Sequence, residues 1–172
     1  MTHADHPAEP RITLNAAVLT ISDSRTSEND SSGDYLVESL GESGHNCVTR
    51  AIVPNDLWKI RRILCDWIAD VQIQVIITNG GTGFTHQKST RTAVLPLLDQ
   101  VITGFGELFR HLSYLDIGNS ALQSDAIAGI ANNTLLFCVP GSTGACQLAW
   151  EGIIRDQLDS HQAPCNFATL YR

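Results

Sequence analysis

The stretch that most narrows the folds open to this chain is Val75-Ile76-Ile77-Thr78-Asn79-Gly80-Gly81-Thr82-Gly83. Its consecutive β-branched apolar residues read as a strand buried on both faces, the situation inside a parallel sheet. The strand then breaks into Asn-Gly-Gly-Thr-Gly, where glycine permits φ > 0 and lets a ligand approach bare backbone. A helix-forming segment begins near Thr90, so the loop sits at the carboxyl end of a strand. Ligands of open α/β sheets bind at that end. Successive free N–H groups in such a loop make a concave anion site without any charged side chain. The spacing is neither the Walker pattern nor GxGxxG, so neither mechanism is imported. Taken alone, the loop is equally well an ordinary glycine-rich turn.

A length of 172 residues fits one domain with a sizeable core, and no run approaches the ~18 apolar residues of a membrane span. Residues 1–10 are polar, without the apolar segment of a signal peptide, and are expected to form a flexible N-terminal tail. Residues 11–172 are expected to form the single domain. The five cysteines (Cys47, Cys65, Cys138, Cys146, Cys165) include no CxxC pair and read as reduced thiols of a cytoplasmic protein. His45, His111 and His161 show no metal-ligand spacing, so no metal site is assigned. A net charge of −7 argues against a protein that coats nucleic acid, but not against a small phosphorylated ligand held by backbone dipoles.

The rest of the chain alternates strand and helix signals. Residues 16–21 form a first buried strand that ends in Ser22-Asp23-Ser24-Arg25. Asp30-Ser31-Ser32-Gly33 caps a helix over residues 34–40, and a second strand covers 47–53. Leu57, Ile60, Ile63, Leu64, Trp67 and Ile68 recur at helical intervals, with Trp67 read as core. After the glycine loop, residues 92–98 read as helical despite Pro96. Gly104-Phe105-Gly106-Glu107 introduces another helix with Leu108, Leu112 and Leu115 as its apolar positions. Residues 120–131 carry no clear local signal. Residues 134–139 make another buried strand, stopped by Pro140-Gly141-Ser142-Thr143-Gly144, and a helix follows over 145–158. Cys146 stands in its first turn, where a packing role is preferred to a reactive one. This succession predicts a three-layer α/β/α fold with a mostly parallel central sheet. If the three strands ending at Ser22, Gly80 and Pro140 are neighbours, their loops converge on one crevice rich in hydroxyls and free amides. Such a crevice suits phosphate and the polar edge of a heterocycle.

The motifs Leu19-Thr20-Ile21-Ser22-Asp23, Asp30-Ser31-Ser32-Gly33, Gly80-Gly81-Thr82-Gly83, Gly104-Phe105-Gly106-Glu107 and Pro140-Gly141-Ser142 occur in this order, and Pro164-Cys165-Asn166-Phe167 is the last of the series. In these motifs the sequence resembles the MoaB/MogA family of molybdenum-cofactor biosynthesis proteins, closest to the MoaB branch. The resemblance implies a MogA-like molybdopterin-binding fold and a homo-oligomer, either a trimer or a hexamer of two trimers. It implies molybdopterin as ligand and, in active relatives, adenylylation of its phosphate with ATP and Mg2+. Gly80, Gly81, Thr82 and Gly83, with Pro140, Gly141, Ser142 and Thr143, would cradle the ligand, and Ser22 and Asp23 would form the facing wall.

Three positions depart from the pattern of active relatives. Lys88 replaces an Asp, Asn55 replaces the first acid of an acidic pair, and Asp125 replaces the Arg of a Ser-Arg pair. Phosphoryl transfer runs on positioning and on metal stabilisation of oxygen charge, so an ammonium at a carboxylate position opposes it. Loss of an Arg also removes a bidentate phosphate clamp. Two function classes therefore stay open: a molybdopterin adenylyltransferase, and a catalytically impaired molybdopterin-binding or scaffolding protein. No catalytic residue is assigned. The signs at 88 and 125 are exchanged relative to relatives, which predicts a Lys88–Asp125 pair within about 4 Å.

Overall fold

In the computed structural model, residues 10–84 and 89–172 are described. The expected tail, apart from Pro10, lies outside them. Six strands build one sheet: β1 (Asn15–Ile21), β2 (Asn46–Val53), β3 (Val75–Gly80), β4 (Gln100–Val101), β5 (Ile127–Ala131) and β6 (Thr134–Val139). Their order is β2-β1-β3-β6-β5-β4. The β2-β1-β3-β6 half is parallel, and β5 runs antiparallel to both of its neighbours.

Residues alternate between the two faces of each strand, so β1 feeds two cores. Ala16 and Val18 pack under α1 (Ser31–Glu42), α4 (Thr103–Ile117) and α5 (Thr143–Ala149). Ala17, Leu19 and Ile21 pack under α2 (Leu57–Ala69) and α3 (Thr90–Val94). The result is the expected three-layer α/β/α arrangement. Asp30 starts α1 by accepting the Gly33 amide, and Asp56 starts α2 by accepting the amides of Trp58 and Lys59. The 3–4 spacing of α2 places Ile60, Leu64 and Trp67 in the core.

Several elements differ from the sequence expectation. The helix expected over 92–98 is short: α3 ends at Val94 and Leu95–Leu97 form a 3-10 turn around Pro96, which lacks an N–H to continue the helix. Of the three leucines expected on the core face of α4, only Leu112 packs against the core. Phe105, Gly106, Phe109 and Ser113 are buried, whereas Leu108 and Leu115 are exposed. Two aromatic rings bury more apolar surface than the leucines would, and Phe105 and Phe109 pack together and against Phe137. The unassigned stretch 120–131 forms a 3-10 turn (Gly118–Gln123) and then β5. Alanines and Gly129 dominate β5, so it lacks the β-branched signature of the other buried strands. Its turn into β6 uses Asn132 and Asn133 at φ 46° and 63°, the left-handed pair that a tight hairpin requires. The closing helix runs from Thr143 to Leu158 with a π turn at Trp150–Ile154.

The order of strands decides where a ligand fits. From β1 the chain passes through α1 to β2 on one side, and α2 then carries it back across β1 to β3 on the other. The crevice between the carboxyl ends of β1 and β3 is thus a topological switch point, the place where open α/β sheets bind ligands.

Candidate functional site

Register brings the three loops together. Ile21 pairs with Gly80, and Asn79 pairs with Val139, so β1, β3 and β6 end side by side. A cleft of about 540 Å³ opens above these ends, lined by Ser22, Asp23, Gly80, Gly81, Thr82, Gly83, Pro140 and Gly141 among others. Its glycines are required by geometry. Gly80 and Gly81 adopt φ 92° and 61°. A Cβ on Gly80 would collide with the Ile21 carbonyl, and one on Gly141 would stand 2.9 Å from the Gly80 Cα. Adjacent strand ends therefore touch backbone to backbone, which only side-chain-free residues allow.

The loop is tied down at its far end by α3. The Thr90 hydroxyl donates to the Gly80 carbonyl at 2.8 Å, and the Thr90 amide donates to the Gly81 carbonyl at 3.1 Å. Asn55 joins this anchor to the opposite wall. Its Oδ1 accepts the Ser89 amide at 3.1 Å, while its own amide donates to Asp23 Oδ1 at 2.9 Å. Ser22 Oγ accepts the amides of Ser24 and Arg25, which curls that wall into a tight turn.

The floor is a buried polar chain. Asn79 Nδ2 donates to Thr20 Oγ1 at 2.9 Å, and the Thr20 hydroxyl donates to Asp30 Oδ2 at 2.6 Å. The Asp30 carboxylate also accepts from the Gly33 amide at 3.1 Å and from Arg50 Nη2 at 2.7 Å. Burial by itself would raise the Asp30 pKa. The hydrogen bonds from Thr20, Arg50 and Gly33 overcome it and hold the carboxyl below its ordinary range. Because an ionised Asp30 accepts only, Thr20 must donate to it and Asn79 must donate to Thr20. The floor is polarised in one direction.

Ser142 and Thr143 sit beside the cleft. Ser142 Oγ accepts the Ala145 amide and caps α5, facing a neighbouring hollow. Thr143 Oγ1 lies 3.1 Å from the hydroxyls of both Ser31 and Ser32. Of the departed positions, Asn55 lines the cleft, and Asp125 is buried with its carboxylate accepting from Arg91 Nη1 at 2.6 Å. Lys88, and with it the expected Lys88–Asp125 pair, lies outside the described residues. Burial pushes the Cys146 thiol up to about 12, in keeping with a packing residue.

Sequence reasoning missed the floor. Thr20 and Asn79 are polar residues within buried apolar strands, and that mismatch was the available signal. Asp30 was read only as a cap, and Phe84 and Gln123 at the rim carry no local signature.

Among the described residues no group of three or more His, Cys, Asp or Glu could hold a metal ion. Asp30 is committed to Thr20, Gly33 and Arg50, and Asp23 is left as the one acid of the cleft lining not bound to a cation. The described lining makes no all-protein magnesium cage; magnesium there would be held by Asp23 together with the phosphates of a substrate, in octahedral geometry.

A mostly parallel α/β sheet with a glycine-lined cleft at its switch point defines a protein that binds a small polar or anionic ligand. The chain belongs to the molybdenum-cofactor biosynthesis family: residues 17–160 match the family described as "Probable molybdopterin binding domain". It is 50% identical over 151 residues to molybdenum cofactor biosynthesis protein B of Escherichia coli K12, covering 88% of this chain and 89% of that protein. A solved structure of a molybdenum cofactor biosynthesis protein B superposes with a TM-score of 0.83 at 44% identity, covering 85% of this chain and 91% of the other. A structure of MogA gives 0.72 at 26% identity, covering 80% and 90%. The likeness is greater to the MoaB branch, in agreement with the sequence motifs.

Proposed function

We propose that this chain works in molybdenum-cofactor biosynthesis by binding molybdopterin in the cleft at the ends of β1, β3 and β6. The observation that carries the reading is the backbone-to-backbone meeting of Gly80 with Ile21 and Gly141, which leaves amides and hydroxyls, not side-chain bulk, around the opening. Glycine amides take the ligand phosphate, and the Thr20-Asn79 floor faces the heterocycle. The binding unit is the domain formed by residues 11–172, acting in the cytoplasm. No helix among the described residues is long and apolar enough to cross a membrane.

Binding without efficient adenylylation is the reading the donor set favours. Asn55 and the engaged Asp125 leave few free charges for ATP and Mg2+ chemistry, and Asp30 is locked in the floor. Self-association as a trimer or hexamer accompanies this function. Exposed Leu108, Tyr114, Leu115 and Ile117 on α4 support such a contact. The test is titration with molybdopterin followed by incubation with ATP and magnesium while pyrophosphate is monitored. Saturable binding with little pyrophosphate is expected. Rapid pyrophosphate release would make the chain an adenylyltransferase, and absence of binding would remove the proposal.

A further inference from the structure

A second hollow of about 430 Å³ adjoins the cleft, lined by Phe84, Arg91, Arg110, Leu122, Ser124 and Asp125. Phe84 lines both spaces, and Gln123 of the cleft precedes Ser124 of the hollow, so the two lie side by side with Phe84 between them. Among the described residues the cleft presents two carboxylates, Asp23 and Asp30, and one guanidinium, Arg25, whereas the hollow presents two guanidinium groups and one carboxylate. Asp125 pairs with Arg91. Arg110 makes no ion pair among the described residues, not even with Glu107 three positions earlier on its own helix.

Arg110 nevertheless lies close against its own helix. A Cβ on Gly106 would stand 3.3 and 3.4 Å from Arg110 Nη1 and Nη2, so the guanidinium lies folded back over the bare glycine. The same Cβ would meet the Ala126 carbonyl at 2.6 Å, so Gly106 also lets β5 approach. Folding back brings a cation toward the N-terminal end of α4, where the helix dipole disfavours positive charge. An incoming anion reverses the sign of that arrangement. The Gly104-Phe105-Gly106-Glu107 motif thus has a consequence beyond packing: its second glycine seats a half-buried, unpaired guanidinium beside the cleft.

We propose that Arg110 and Arg91 form a phosphoryl-binding annex to the cleft, one that takes an anionic group of a heterocyclic ligand whose ring system occupies the cleft itself. The inference rests on the ligand-binding reading above and adds a named subsite to it. The fork of Arg110 is free to engage two phosphate oxygens, and Phe84 and Leu122 flank the opening. Asp125 aims Arg91 and at the same time lowers the net positive charge of the annex.

The phosphoryl group has two sources, the polyphosphate of ATP and the monophosphate of molybdopterin, and calorimetric titration of the full chain with each separates them. Adenosine serves as the phosphate-free control. Arg110→Gln is expected to weaken binding of one phosphorylated probe roughly ten- to hundredfold and leave adenosine unchanged. Asp125→Asn is expected to strengthen binding of that same probe. Gly106→Ala, whose Cβ crowds both the guanidinium and the Ala126 carbonyl, should reproduce the loss in part, and a near-ultraviolet circular dichroism spectrum matching wild type shows that each variant is folded. If wild type binds either probe and Arg110→Gln binds both unchanged, the annex is overturned and the cleft reading stands. If wild type binds neither, both readings fall.

Discussion

At the scale of single residues, the loop glycines serve the fold as well as the opening. Gly81 has φ 61°, and a Cβ there would run into Thr90 Oγ1 and lie 2.6 Å from Ile21 Cγ2. Gly81→Ala is therefore expected to lower stability by about 1–3 kcal/mol, read by urea denaturation, in addition to any loss of ligand. Asp30 supplies a second case. Its folded pKa is held below 3.8, so its stabilisation is complete above that value and is lost as pH falls through the folded pKa. Acid unfolding of wild type should steepen below about pH 4, and Asp30→Asn should lack that limb. At neutral pH the same substitution should cost about 1.5–3 kcal/mol, because Arg50 and Thr20 lose an ionised acceptor.

At the scale of elements, the junction of α1 with β2 holds the entry to β1. His45 is buried, and its Nδ1 accepts the Leu14 amide at 3.2 Å. Burial lowers the His45 pKa from 6.5, with Asp159 opposing the shift. The neutral ring is the folded form, so its contribution is whole above pH 6.5 and is lost as pH falls below it toward the folded value. Thermal midpoints should drop between pH 7 and pH 5, and His45→Gln should flatten that dependence. The residue also shows how an element's neighbours decide a side chain's state: no spacing of histidines in the chain distinguishes His45 from exposed His111.

At the scale of the whole molecule, α4 leaves four large apolar side chains exposed. Leu108, Tyr114, Leu115 and Ile117 face outward because Phe105 and Phe109 occupy the core side of the helix. A face of this kind is expected to be covered by another copy of the chain. Light scattering should give three or six times the chain mass of 18.7 kDa, and Leu115→Glu should shift the population toward smaller species. A monomer at micromolar concentration would remove the assembly reading.

The strands β1, β3 and β6, the cap at Asp30 and the glycine loop could be read from the chain because their causes are local. Hydrophobic runs, capping oxygens and glycines act within a few residues of themselves. The chain's order of motifs also carried the family. Other features depended on partners far apart in sequence. Alternation cannot reveal β5, whose alanines and Gly129 gain their strand identity only from pairing with β4 and β6. The polarised floor needs Thr20, Asp30, Asn79 and Arg50 from four separate segments, and a side chain's protonation state depends on those neighbours rather than on its own identity. Which helix face is buried was likewise settled by competition, since Phe105 and Phe109 joined the core cluster of Phe137 and left Leu108 and Leu115, two of the three leucines that helical spacing had marked as core, exposed.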